Sequence, residues 1–262
     1  MNTMHATISA DGTRIAYDRY GEGPPIVLVA GAFNTRTTTE PLAVALQDRF
    51  TVLNVDRRGR GDSGDTAPYA VQREIEDLDA VIAEAGGSAA VFGYSSGATL
   101  ALHAAAHGLP ITRLALYDAP FEVDDSRPKL PPDFAQELDG LIASGRRGDA
   151  VELYQRVAIG IPEDVVVQMR RAPFRPALED IAHTLVYEAT LVGDLSLPAD
   201  LIGTITAPTL AIDGEHSPPI MQPAAAALAR TLPDGRHRTL AGQGHDLAPD
   251  ALAPVLDDFL LD

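Results

Sequence analysis

Val91-Phe92-Gly93-Tyr94-Ser95-Ser96-Gly97-Ala98 is the stretch on which the fold turns. The apolar run Ala89 to Phe92 leads into a serine flanked by glycines, and a small-residue segment with Ala98, Ala101, Ala104 and Ala105 follows. Read as strand, sharp turn and helix, this G-x-S-x-G pattern forces its central residue into a strained backbone conformation that lifts the Ser95 hydroxyl above the strand end. Gly93 and Gly97 present no side chains to the neighbouring backbone at that corner. Ser95 therefore reads as a nucleophile.

Working outward, the chain alternates strands and helices on both sides of this turn. Ile8 and the alternating run Arg14 to Tyr20, joined through Asp11-Gly12, predict an opening hairpin. Pro25 to Ala30 and Phe50 to Val55 are continuous apolar runs of the kind buried on both faces of a parallel sheet. Positions 71, 75, 78, 82 and 85 keep helical spacing up to Gly86-Gly87. Arg113 to Tyr117 predicts a strand, Thr209 to Ile212 and Arg238 to Leu240 two more, with helices near 224–232 and 251–261. Between about 124 and 203 the pattern becomes helical throughout: Phe134, Leu138, Leu141 and Ile142 share one face, Val151, Tyr154, Val157 and Ala158 another. Further helical stretches are expected over 165–170 and 177–190. The expectation is an α/β fold, a mostly parallel, doubly wound sheet of about eight strands, with a helical lid (124–203) after the sixth strand and a core formed by 1–123 and 204–262.

Composition narrows the function. The 262 residues are 45% hydrophobic and 22% charged, which suits a folded soluble domain. Thirty-seven acidic against 20 basic residues give a net charge of −17, which disfavours nucleic acid and anionic membranes as partners. Lys129 is the only lysine. The absence of cysteine excludes disulfides and thiolate chemistry. No cofactor or metal is expected, and the partner implied is a small-molecule substrate. Met1 to His5 lacks a basic and apolar leader, and no apolar run approaches roughly 18 residues, so a cytoplasmic location is expected.

A serine hydroxyl needs a base, and imidazole has the appropriate pKa. His245 lies in Gly242-Gln243-Gly244-His245, directly after the last expected strand and on the same sheet edge as the serine turn. His103 and His107 fall within the helix after Ser95, and His5 and His237 at a terminus and a strand start. His245 is the expected base.

At this point the chain resembles the α/β-hydrolase superfamily, in its lid-bearing, esterase- and lactonase-like branch. The matching pieces are Val29-Ala30-Gly31-Ala32, the Asp56 to Ser63 run, Gly93 to Gly97, Pro208 to Gly214 and Gly244-His245. A serine nucleophile separates it from epoxide hydrolases and haloalkane dehalogenases, which carry aspartate there. The resemblance implies cleavage of a small or medium apolar ester, thioester or lactone through an acyl-enzyme. It also implies an oxyanion hole of backbone N–H groups, from Ser96 and from Ala32, with Phe33 as the alternative to the latter. The Asp56 to Ser63 run, with three arginines among glycines, lacks phosphate-loop spacing and is structural in the superfamily.

One departure matters. The superfamily usually places its acid in a G-x-x-D stretch, but here Gly214-Glu215-His216-Ser217 puts serine at the acid position. Relatives that carry the acid at the end of the sixth strand point to Asp118 as first choice, with Glu215 second and Asp213 third. The displaced acid also motivates an alternative, non-hydrolytic chemistry such as cyclisation, lyase or carbon–carbon bond formation. A ligand-binding protein without turnover would have no need of the serine and histidine pair.

Overall fold

The computed structural model describes residues 3–124 and 129–262. Met1 and Asn2, and residues 125–128 at the start of the expected insertion, lie outside the described residues. The strands are β1 (Thr3–Ile8), β2 (Arg14–Tyr20), β3 (Pro25–Val29), β4 (Thr51–Val55), β5 (Ala89–Tyr94), β6 (Ile111–Tyr117), β7 (Thr209–Gly214) and β8 (Gly235–Leu240). They form one sheet in the order β1-β2-β4-β3-β5-β6-β7-β8. The β1–β2 and β2–β4 pairs are antiparallel and the rest parallel. β5, which feeds the serine turn, lies between β3 and β6.

The continuous apolar runs are double-sided because alternate residues serve different faces. Val27, Val29, Val91, Leu114 and Leu116 join one core with helices α2 (Val71–Glu84), α3 (Ser96–Ala106) and α10 (Met221–Thr231). Ile26, Leu28, Phe92, Ala115 and Tyr117 join the other with α1 (Arg36–Leu46) and α11 (Pro249–Leu261). The doubly wound architecture follows from that division.

Between β6 and β7 run α4 (Phe134–Ala143), α5 (Arg147–Tyr154), a π-helical turn (Gln155–Ile159), α6 (Glu163–Met169), α7 (Arg175–Asp180), α8 (Thr184–Val192) and α9 (Ala199–Ile202). Their inward faces, including Phe134, Leu138, Val151, Tyr154 and Leu185, form a third apolar cluster. The helix expected over 177–190 is two helices. Arg147 donates from Nε to the Glu179 carbonyl at 2.6 Å and from Nη2 to the Asp180 carbonyl, occupying acceptors at the end of α7.

The arginines of the Asp56 to Ser63 run are buried and occupied by carboxylates. Arg57 bonds Glu74 of α2 at 2.6 and 2.8 Å and Glu188 of α8 at 2.8 Å. Arg58 bonds Asp77 at 2.7 Å and Asp11 at 3.0 Å, and Arg60 pairs with Glu188. Neighbouring carboxylates hold the Arg57 guanidinium above its ordinary pKa despite the desolvation that opposes charge. Glu188 thus fastens the helices between β6 and β7 to the loop after β4. Glu188→Ala should cost about 3–5 kcal/mol of stability, because it strips a buried partner from two guanidinium groups. Chemical denaturation would read that loss as a lower midpoint.

Candidate active site

Ser95 begins where β5 ends, with φ 55° and ψ −126°. A Cβ at position 93 would lie 2.5 Å from the Ala98 Cα, and one at position 97 would lie 2.3 Å from the Val29 carbonyl oxygen. Glycine is required at both places by close backbone approach. The Ser95 N–H donates to the Tyr117 carbonyl at 2.9 Å, tying the turn to β6. Phe33, Asp118 and Leu195 are the other non-glycine residues at positive φ among those described. Strained backbone thus gathers around Ser95 and the loops beside it.

Asp118 follows β6, fully buried, its N–H bonded to the Ile212 carbonyl at 2.8 Å. Its Oδ2 lies 2.9 Å from His245 Nδ1 and accepts a 2.6 Å hydrogen bond from the Ser217 hydroxyl. His245 is the only basic group bonded to Asp118 among the described residues. The serine that occupies the usual acid position therefore steadies the carboxylate that stands beside the imidazole. Ser217→Ala should cost about 1 kcal/mol of that arrangement, a roughly fivefold fall in kcat with KM little changed.

The other acidic candidates are engaged elsewhere. Asp213 is buried and bonds His237 Nε2 at 2.5 Å and the Thr239 hydroxyl at 3.3 Å. Glu215 accepts from the Gly242 N–H at 2.7 Å, so its carboxylate braces the loop that carries His245. That loop is also held by the His216 N–H on the Gln243 carbonyl at 2.7 Å and by the Tyr117 hydroxyl on the Gly244 carbonyl. Burial, and then the Asp118 carboxylate, push the Tyr117 phenol above its ordinary pKa, which keeps it a donor. The Tyr94 ring lies 5.1 Å from the imidazole, centroid to centroid.

Ser95, Ser96, Ala32 and His245 line one cavity of about 890 Å³. The N–H groups of Ala32 and Ser96 donate to no other group among the described residues, which leaves two backbone donors beside the Ser95 hydroxyl. Ser96 also opens α3, where the helix dipole adds positive potential. Sheet-side loops and the helices between β6 and β7 share the walls. Of the aromatic residues in those helices, Tyr154 lines the cavity and meets Phe33 edge-on at 5.6 Å. Phe134 is buried in the helical cluster, Phe174 is exposed, and Tyr187 stacks on Tyr69 at 4.1 Å. Sequence reasoning passed over Asn34, Lys129, Arg156, Met221 and the Pro218-Pro219 pair, all of which face the cavity. No motif or periodicity marks them, since they converge only through the fold.

The family model described as "Alpha/beta hydrolase family" matches residues 26–257. The chain belongs to the alpha/beta hydrolase family. This hydrolase is 54% identical to an alpha/beta hydrolase from Sphaerobacter thermophilus of known structure, with a TM-score of 0.92 over 98% of this chain and all of that one. It is 26% identical over 257 residues to the 2-(acetamidomethylene)succinate hydrolase of Mesorhizobium japonicum, covering 92% of this chain and 89% of the relative. A segment of 118 residues is 37% identical to the N-formylmaleamate deformylase of Pseudomonas putida, spanning 43% of this chain and 44% of that relative. Among the described residues, no group of three or more histidines and carboxylates could hold a metal ion, and no helix is long and apolar enough to cross a membrane.

Proposed function

We propose that this hydrolase cleaves a small or medium carboxylic ester, thioester or lactone through an acyl-enzyme formed on Ser95. The observation that carries the reading is the shared cavity of Ser95 and His245, with Asp118 2.9 Å behind the imidazole. His245 takes the Ser95 proton as the hydroxyl attacks the acyl carbon, then returns it to the departing alcohol, thiol or alkoxide. Asp118 holds the imidazole with Nε2 free to accept that proton and offsets the charge of the imidazolium. The N–H groups of Ala32 and Ser96 receive the oxygen that becomes negative, a contribution of about 3–4 kcal/mol per donor. Water activated by the same imidazole then releases the acid. The helices between β6 and β7 act as a lid that keeps bulk water from the acyl-enzyme.

A second reading, cleavage of an acylated nitrogen, is favoured by two of the relatives, named for 2-(acetamidomethylene)succinate and N-formylmaleamate. It uses the same residues and differs in the leaving group that His245 protonates. Hydrolysis of p-nitrophenyl acetate and butyrate, beside labelling by a fluorophosphonate and mass spectrometry of the modified peptide, tests the proposal. Ester turnover with the label on Ser95 supports it. Labelling without turnover of esters or of N-acyl compounds redirects the fold to non-hydrolytic chemistry, and a label on another residue overturns the assignment.

A further inference from the structure

The charge of the cavity runs against that of the chain. Acidic residues outnumber basic ones 37 to 20 overall, yet the described cavity lining holds two permanent cations, Lys129 and Arg156, and no carboxylate. Both come from the segment between β6 and β7, and they line the same cavity as Ser95 and His245. Most of the remaining lining is apolar, including Val157, Ile159, Val192, Leu195 and Ile220. Arg156 is 35% exposed and Lys129 63%, so Arg156 is the more shielded of the two.

Arg156 sits on the π-helical turn, and 156 to 162 line the cavity as an unbroken run. The existing partners of the two cations are weakly held. Arg156 reaches Glu163, 60% exposed, through Nη1 at 3.2 and 3.4 Å, and the same nitrogen stands 4.0 Å from the buried Glu152, whose carboxylate is already bonded by Arg170 and Arg175. Its Nε and Nη2 bond no other group among the described residues. Lys129 reaches the half-exposed Asp194 at 3.3 Å and the Ser196 hydroxyl at 3.2 Å. Exposed pairs of this kind contribute little and exchange readily. A guanidinium with three free N–H donors is suited to a bidentate carboxylate.

We infer that the substrate is an organic acid: its scissile acyl group lies at Ser95 while a separate carboxylate is bound in the same cavity by Arg156, with Lys129 adding long-range attraction. This assignment rests on the reading of Ser95 and His245 as the hydrolytic pair and narrows its substrate class. It departs from the wholly apolar substrate that the sequence implied, because an apolar ester leaves both cations without a role in the cavity.

The experiment compares mono-p-nitrophenyl glutarate with the neutral, similarly shaped p-nitrophenyl valerate. The anionic ester should be preferred at least tenfold in kcat/KM, through KM, and added sodium chloride should erode the preference. Arg156→Gln should bring the ratio of the two close to one, Lys129→Gln should lower it less, and Arg146→Gln, on the exposed surface outside the cavity, should leave it unchanged. An equal or greater rate on the valerate ester, or a ratio that Arg156→Gln does not move, overturns the inference. If neither ester is turned over, the ester reading fails by itself, and calorimetric titration with glutarate still decides the subsite. Binding that Arg156→Gln abolishes supports it, and no binding, or binding indifferent to Arg156, sinks it.

Discussion

Ser95→Ala is expected to remove turnover almost entirely, by on the order of 10⁶ in kcat, while leaving the fold and the cavity intact. The size follows from the chemistry assigned to one atom. Without Oγ there is no acyl-enzyme, and the residual rate is what binding and the two backbone N–H groups provide for direct attack by water. The strained conformation at Ser95 is set by β5, α3 and the neighbouring glycines, so alanine is held in the same turn. Steady-state kinetics with thermal denaturation checks this. A folded variant that keeps within about tenfold of the parent rate would remove Ser95 from the mechanism.

Asp118→Asn should cost about 10⁴ in kcat with KM nearly unchanged. The amide can present its NH2 to Nδ1 of His245, which stabilises the tautomer with the proton on Nε2, and it carries no charge to meet the imidazolium. Glu215→Gln retains an oxygen for the Gly242 N–H and should stay within about threefold of the parent rate. Asp213→Asn disturbs a pair with His237 and Thr239 and should likewise leave kcat close to parent. The three variants measured side by side discriminate the acids: a large loss at position 213 or 215 with little at 118 refutes the assignment. Adding Ser217→Asp to Asp118→Asn is expected to recover part of the lost rate, since the 217 side chain already reaches the oxygen that serves the imidazole.

What could be read from the sequence and what could not divide along physical lines. The inner strands were legible because burial on both faces writes unbroken apolar runs, as in Ile26 to Val29 and Ala89 to Phe92. Helix α1 carries no such signal. It contains Pro41, and part of its inward face is polar, with the Thr39 hydroxyl bonded to buried Asn54 at 2.5 Å and the Arg36 carbonyl accepting from Asn54 at 2.7 Å. The break between α7 and α8 depends on Arg147, some thirty residues earlier, and no local pattern contains it. Within the candidate site, Ser95 and His245 announce themselves by the glycines around them. Asp118 could be named only by comparison with proteins that carry an acid after the sixth strand. Arg156 and Lys129 were invisible as site residues, since an arginine on a helix and a solitary lysine read as ordinary solvated charges.

Asp118 leaves the molecule from β6, whereas the stretch after β7, from Pro218 to Met221, forms part of the cavity wall. The two stretches meet at Ser217, whose hydroxyl bonds Asp118 and whose neighbour Pro218 opens the cavity wall. In a relative whose acid follows β7, every change of specificity in that stretch risks the imidazole's partner. Here the carboxylate itself lies outside that stretch, so a change at 218–221 leaves the acid in place and reaches it only through Ser217.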